Sequence, residues 1–429
     1  MPLEGRSKRY FWKVAIAALI GASLAAMDFE LFLAGIPVLI PLFNLGFNNI
    51  TFMTDAMFIG SAVGAFAFGY LADKYGRKTI FMLMTIIYAI GSLFTAFSSF
   101  LTAFMGSRAF TGIGTGGDES LGFTLAAEEA PPSRRTWAMM IVGFSFPIGT
   151  SIGAGLVLLF VAYHIYLPYV FLVGVLPALF VIYLRKGLSE TSRFQDIKRV
   201  RDNLKAGKEV TDAKFEVNTH QALRNTVSQM FSKEFRTTSI LLAIFVIYLA
   251  GVVAVDLIFL PLYFIDVKGI SVVSTLTYEF IGYGLVVIGV IYASYLGQKI
   301  GRKYVLVINL IASALLVAGM VVSTSPTLLL VLYVLFQVFL WSMWAAWPFY
   351  INETYPTRMR ATASNFGYGF QWVGNIIIPT FFAGALAVTG GNWSIDWIGL
   401  IIIPLFILIA FLVPMRKSSA VEELESNAT

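Results

Sequence analysis

The sequence predicts an all-α membrane protein of twelve transmembrane helices arranged as two six-helix bundles. Three observations lead there: apolar runs of span length recur throughout the 429 residues, basic residues gather on one side of those runs, and two short signatures repeat at a fixed distance. Hydrophobic residues make up 58% of the chain and charged residues 13%, against roughly a quarter charged in soluble domains. That balance excludes a soluble enzyme, a nucleic-acid reader or a disordered scaffold, and no nucleic-acid partner is expected. With no cysteine, and with His164 and His220 far apart, no metal or cofactor is expected either.

A helix that crosses the hydrocarbon layer needs roughly 20 apolar residues, because its backbone must be bonded internally. The first such run, about 14–35, follows basic Arg6, Lys8, Arg9 and Lys13 and lacks a small-residue cleavage pattern, so it reads as a retained span. The second and third, about 52–72 and about 79–99, are parted only by a short Gly-Arg-Lys turn. A glycine-rich fourth at about 101–127, a fifth at about 137–162 and a sixth at about 167–184 complete the first set. A polar insert, 185–236, comes next with 12 basic and 7 acidic residues. The second set reads at about 237–263, about 273–297, about 304–322, about 327–350, about 362–388 and about 395–414. The expected organisation is therefore a bundle over 1–184, a linker over 185–236, a bundle over 237–414 and a tail over 415–429.

If the N-terminus is cytoplasmic, 28 of the 30 lysines and arginines fall on the cytoplasmic side, leaving Arg108 inside a span and Lys268 outside. That bias predicts both termini in the cytoplasm and explains the net charge of +6 through the anionic inner leaflet of the plasma membrane. Gly76-Arg77-Lys78 recurs as Gly301-Arg302-Lys303, and Glu128, Pro131 and Arg135 recur as Glu353, Pro356 and Arg360, both at an offset of 225. Agreement of two signatures implies parallel six-span repeats, which place a substrate site at their interface near the bilayer midplane.

Gly69-Tyr-Leu-Ala-Asp73-Lys-Tyr-Gly76-Arg77-Lys78 resembles the loop 2-3 signature of the major facilitator superfamily, and Ser294 to Lys303 resembles its second copy. Glu353-Thr-Tyr-Pro356-Thr-Arg-Met-Arg360 is similar to the motif after the tenth span of sugar porters and metabolite symporters, and Leu188 to Phe194 to the motif after their sixth. Arg108 to Asp118 resembles the fourth span of proton-linked phosphate symporters and of synaptic-vesicle-protein-like metabolite transporters. The resemblance implies the superfamily's fold, with Arg108 and Asp118 in coupling and substrate binding. The sugar-porter glutamine pair of the seventh span is absent, as is the phosphate-symporter lysine of the eleventh.

An intramembrane charge survives only beside a partner or a wet cavity. Among the acids of the expected spans are Asp28, Glu30, Asp118, Glu119, Asp256 and Glu279, against one cation, Arg108. Asp118, beside Gly114, Gly116 and Gly117, is the expected proton carrier, the plainer reading being a glycine packing site. Asp28, Glu30 and Asp256 are further coupling candidates expected to face a water-filled chamber, while Glu279 lies near the outer surface. Arg108 must pair with an acid on another helix, Asp28 being the best placed, or with an anionic substrate; a purely structural pair is the alternative.

Asp73, Gly76 and Arg77, with Glu128, Arg135, Arg302, Glu353 and Arg360, read as gate residues, Asp73 being able to hold a helix N-terminus in one state only. In the eleventh span Asn365, Tyr368, Trp372 and Asn375 recur on one helical face with Gln371 beside them. With Trp344 and Trp347 they form an expected ligand wall, or else interhelical bonds and belt residues. The sum is a non-enzymatic secondary transporter, a functional monomer in the lipid bilayer, moving a small polar metabolite, sugar or organic acid, with proton symport. A uniporter of the same fold and a non-transporting nutrient sensor are the rivals.

Overall fold

The computed structural model describes residues 8–130, 134–175, 230–355 and 357–412 and the single positions 179, 190, 195 and 199. The side chains of Asp73, Glu128, Arg135, Glu353, Arg360 and Asn365 lie outside the described residues, as do most of the linker, the tail beyond 412, and Pro131 and Pro356. Among the described residues every regular element is helical.

The first span is Lys8–Leu33, followed by a short helix Ile36–Phe43 with a proline at its start. The second, Phe47–Tyr75, and third, Arg77–Ala96, meet at Gly76, whose φ of 108° suits glycine alone. In the second half the eighth span, Val272–Ile300, meets the ninth, Arg302–Val322, at Gly301 with φ of 95°. The repeat legible at offset 225 is thus a repeat of backbone conformation as well as of letters.

Ten helices among the described residues are long and apolar enough to span a membrane, two fewer than the sequence predicts. The missing two have separate causes. The fourth span is present but broken into Leu101–Thr115 and Asp118–Glu129, neither long enough alone. The sixth begins as a 3-10 turn at Leu167–Leu172, and most of its remaining length lies outside the described residues.

The fifth span also runs in two pieces, Arg135–Gly143 and Ser145–Ala162. The tenth is Pro326–Ser342, a 3-10 turn Met343–Ala345 and then Trp347–Thr354, whose Pro348 brings no N–H to the helix start. The offset of 225 carries the fourth-span break onto Trp341 and Ser342, immediately before that turn. The seventh span is Arg236–Asp266 and the eleventh Thr357–Val388. The twelfth comprises Trp393–Trp397, a π turn Ile398–Ile402 and Ile403–Leu412. Its widened turn leaves the Leu400 carbonyl to accept from the Tyr248 hydroxyl of the seventh.

Within the first half the first span packs on the fifth, and the second and third on the fourth; within the second, the seventh packs on the eleventh, and the eighth and ninth on the tenth. The halves meet along two seams, fifth against eighth and second against eleventh. Large apolar side chains such as Ile59, Leu159, Ile288, Leu315 and Ile407 stay exposed, as lipid-facing surface requires.

Candidate functional site

Two groups of buried charge flank the seams. In the first, Arg108 Nη1 donates to Asp28 Oδ2 at 3.0 Å, and both side chains are fully buried. The remaining donors are met as well: Nε by Thr95 Oγ1 at 3.0 Å, Nη2 by Thr111 Oγ1 at 2.9 Å and Ser92 Oγ at 3.3 Å. Ser92 donates in turn to Asp28 Oδ1. Phe171 lies against the guanidinium at 4.6 Å, closing the remaining side. Ser92 and Thr95 on the third span and Thr111 one turn beyond Arg108 form a hydroxyl cradle that the sequence reading did not identify, although their spacing places them on single faces. The pair is shut away from any chamber in this conformation.

The second group joins the two halves. Glu30 of the first span lies in electrostatic reach of Glu279 and Asp256 on the eighth and seventh. None of the three is more than 2% exposed. Asp256 Oδ1 accepts from Gln337 Nε2 of the tenth span at 2.9 Å, and the Trp341 indole lies beside the same carboxylate. Four acceptor atoms here, Glu30 Oε2, Asp256 Oδ2, Glu279 Oε2 and Gln337 Oε1, are buried with no hydrogen-bond donor. Among the described residues no lysine or arginine pairs with any of the three acids. Glu279, expected near the outer surface, is therefore an interior residue: the packing of the halves, which hydropathy does not report, covers it. The signal available in sequence was Gln337, an amide in an otherwise apolar helix.

Asp118 opens the second piece of the fourth span and is buried, with Glu119 beside it. An acid on the first turn meets the positive end of the helix dipole. The break happens where the span is pinched: a Cβ on Gly116 would overlap the Ser61 carbonyl of the second span. The Gly116 carbonyl is turned to the other half, where it accepts from Trp372 Nε1 at 2.8 Å. Trp372 is also clasped by Phe29 at 5.9 Å and Phe58 at 6.1 Å.

Of the expected ligand wall, Trp344 and Trp347 meet edge to face at 6.2 Å, and Trp347 meets Tyr368 at 5.0 Å. Gln371 is buried with its Oε1 lacking a partner, whereas the Asn375 amide nitrogen, oriented to bond, reaches the Ala250 carbonyl at 2.8 Å. Asn375 thus ties the eleventh span to the seventh rather than facing an opening. Trp341, two turns from Trp347, stacks on Phe146 of the opposite half at 4.5 Å.

Contacts cross the seams toward both ends. At the end carrying Gly76 and Gly301, Phe66 meets Phe366 at 6.3 Å. At the other end Thr380 donates to Asp55 Oδ2 at 3.2 Å and Ser151 to the Phe280 carbonyl at 3.0 Å. Asp55 is a further intramembrane acid beyond the six expected, as is Asp396 of the twelfth span, which accepts from Thr389 Oγ1 at 2.8 Å. The Arg77 and Lys78 amides, which start the third span, donate to Glu190 Oε1 at 2.9 and 3.3 Å. A linker glutamate therefore holds that N-terminus; the side chain of Asp73, expected to hold a helix N-terminus or an arginine at this rim, lies outside the described residues. Arg302, the counterpart of Arg77, is buried, donates to the Ser294 carbonyl at 3.0 Å and lies over Phe349 at 4.6 Å. Lys268, outside the spans, donates to the Val321 and Ser323 carbonyls at the end of the ninth, and burial lowers its pKa.

Two repeated helical halves that pack along two seams lined by buried polar groups define a two-bundle membrane carrier. The family model described as Major Facilitator Superfamily matches residues 18–379 and 280–428. The chain belongs to the Major Facilitator Superfamily and is a transporter rather than an enzyme. It is 27% identical over 414 residues to a candidate niacin/nicotinamide transporter of Bacillus subtilis (strain 168), covering 96% of this chain and 98% of that one. It is 25% identical over 343 residues to the sialic acid transporter of Escherichia coli (strain K12), covering 78% of each. The solved structure of a proton:xylose symporter bound to 6-bromo-6-deoxy-D-glucose superposes with a TM-score of 0.75 at 17% identity, covering 99% of this chain and all of that one.

Proposed function

We propose that the chain moves a small polar organic metabolite across the cytoplasmic membrane by alternating access, as a monomer with both termini in the cytoplasm, and couples this to proton symport. The moving bodies are 1–184 and 237–414, tethered by 185–236, with 415–429 as a tail. One observation carries the reading: the fourth span breaks at the seam, placing the Asp118 carboxylate at a half-helix N-terminus beside a carbonyl bonded to Trp372 of the opposing half. Rocking the halves apart breaks that bond and changes the surroundings of Asp118 together, which is the linkage a coupled carrier needs. The cargoes named for the two relatives, niacin or nicotinamide and sialic acid, are small polar organic molecules and support the substrate class. Tyr368, Gln371, Trp372, Trp344 and Asn365 are the proposed substrate contacts, and Gly76, Arg77 and Arg302 with the other motif residues the gate.

The test is Asp118→Asn in proteoliposomes under an imposed proton gradient. Uphill accumulation is lost while exchange against preloaded substrate continues. Undiminished uphill uptake overturns the role of Asp118. Transport with no alkalinisation of the outer medium favours a uniporter, a reading to which the Asp28–Arg108 pair lends support, since its charges are matched within one half.

A further inference from the structure

The seam between fifth and eighth spans carries an arrangement that proton coupling through Asp118 does not use. Glu30, Asp256 and Glu279 converge from three helices and two halves, all buried, with no basic side chain paired to them among the described residues. Acids alone would say little. Independent of them, the Gln337 amide, fully buried and anchored through its nitrogen to Asp256, leaves its Oε1 with no donor, and every other orphaned atom of the carboxylates is likewise an acceptor. The one orphaned donor beside them is the Trp341 indole Nε1, against four orphaned acceptors.

A buried acceptor without a donor costs about 1–3 kcal/mol, and more when it is charged, so such a set favours a donor that arrives from outside. The walls are aromatic. Trp341, stacked on Phe146, stands 6.2 Å from Tyr283, and Tyr333 lies in electrostatic reach of Asp256, Glu279 and Glu30. Ring faces of this kind attract a positive group. Gly282 opposite leaves no room for a side chain, since a Cβ there would press on Tyr333 and Gln337.

We propose that this cluster is the binding subsite for the cationic group of the transported solute, a compact organic cation bearing several N–H donors, such as a primary ammonium or guanidinium. The assignment rests on the transporter reading above and names its substrate class. A single cation balances one of the three carboxylates, and protons balance the rest. Because Glu30 belongs to one half and Asp256 and Glu279 to the other, the cation bridges the seam when bound and is released when the seam opens.

The experiment measures thermal shift and proteoliposome uptake for purified full-length protein with tyramine, phenethylamine and agmatine, against nicotinate, sialic acid and xylose. At least one of the three cations raises the melting temperature and is taken up, and Glu279→Gln and, separately, Glu30→Gln weaken its binding about tenfold or more without lowering the melting temperature of the free protein. Stabilisation and uptake of nicotinate, sialic acid or xylose alone overturns the cation subsite while the transporter reading stands. Cation binding with no uptake of any solute keeps the subsite and overturns that reading. Silence of all three cations, or cation binding indifferent to both variants, overturns the subsite.

Discussion

Asp28 and Glu30 stand two residues apart on one helix, about 200° apart around it, and meet opposite fates. Asp28 turns into its own half and is locked to Arg108 within a ring of hydroxyls. Glu30 turns to the seam and meets two further acids from the other half, with no cation paired to them among the described residues. The difference teaches that burial alone does not mark a working charge. A buried charge whose bonds are all made within one rigid body holds that body together, and one left wanting at a moving seam is available to something that comes and goes.

The comparison is broken most directly by removing Arg108. Arg108→Leu strands the Asp28 carboxylate among Ser92 and aromatic rings and costs about 3–5 kcal/mol, read as a large fall in melting temperature in detergent. Asp256→Asn, removing an acid from the unpaired group, leaves the melting temperature unchanged or higher, because it relieves repulsion. Equal destabilisation by both variants erases the distinction between the groups. Transport measured on Arg108→Lys sharpens it: the loss of the fork to Thr111 and Ser92 is expected to impair uptake through the stability of the half, so uptake and melting temperature fall together.

Smaller effects are expected along the seam. Trp372→Phe keeps the ring between Phe29 and Phe58 but leaves the Gly116 carbonyl without its donor, at about 1–3 kcal/mol. Because that bond crosses the halves, the cost falls on the closed state, and labelling of an introduced cysteine near Asp118 should rise; unchanged labelling means that the bond does not report closure. Smallest is Thr380→Val, which removes one bond at the edge to Asp55 and costs under about 1 kcal/mol. Its expected signature is a changed uptake rate with an unchanged melting temperature.

Much of this is legible in the chain itself. A lone intramembrane arginine requires an acid on another span or an anionic substrate, and Asp28 is the best placed of the acids, so the pair can be anticipated without a structure. The Gly76 and Gly301 turns can be read because a positive φ leaves its mark in the identity of one residue. The interior place of Glu279 cannot, because depth along a helix says nothing of the neighbour that covers it, and Asp55 is hidden in a run whose overall apolarity masks it. Asn375 shares the eleventh-span face with Tyr368 and Trp372, yet its amide is spent on the Ala250 carbonyl, a bond decided by the seventh span lying against it.

Hydropathy and the repeat at 225 determined the membrane and the two halves, and motifs that resemble those of known carriers pointed to the family, because each is a local or periodic property written along the chain. Which acid is paired and which is left wanting was decided only in three dimensions. Partnership between charges depends on helix rotation and on contacts among spans as distant in sequence as Glu30 and Glu279, and no periodicity along a single helix encodes its neighbour.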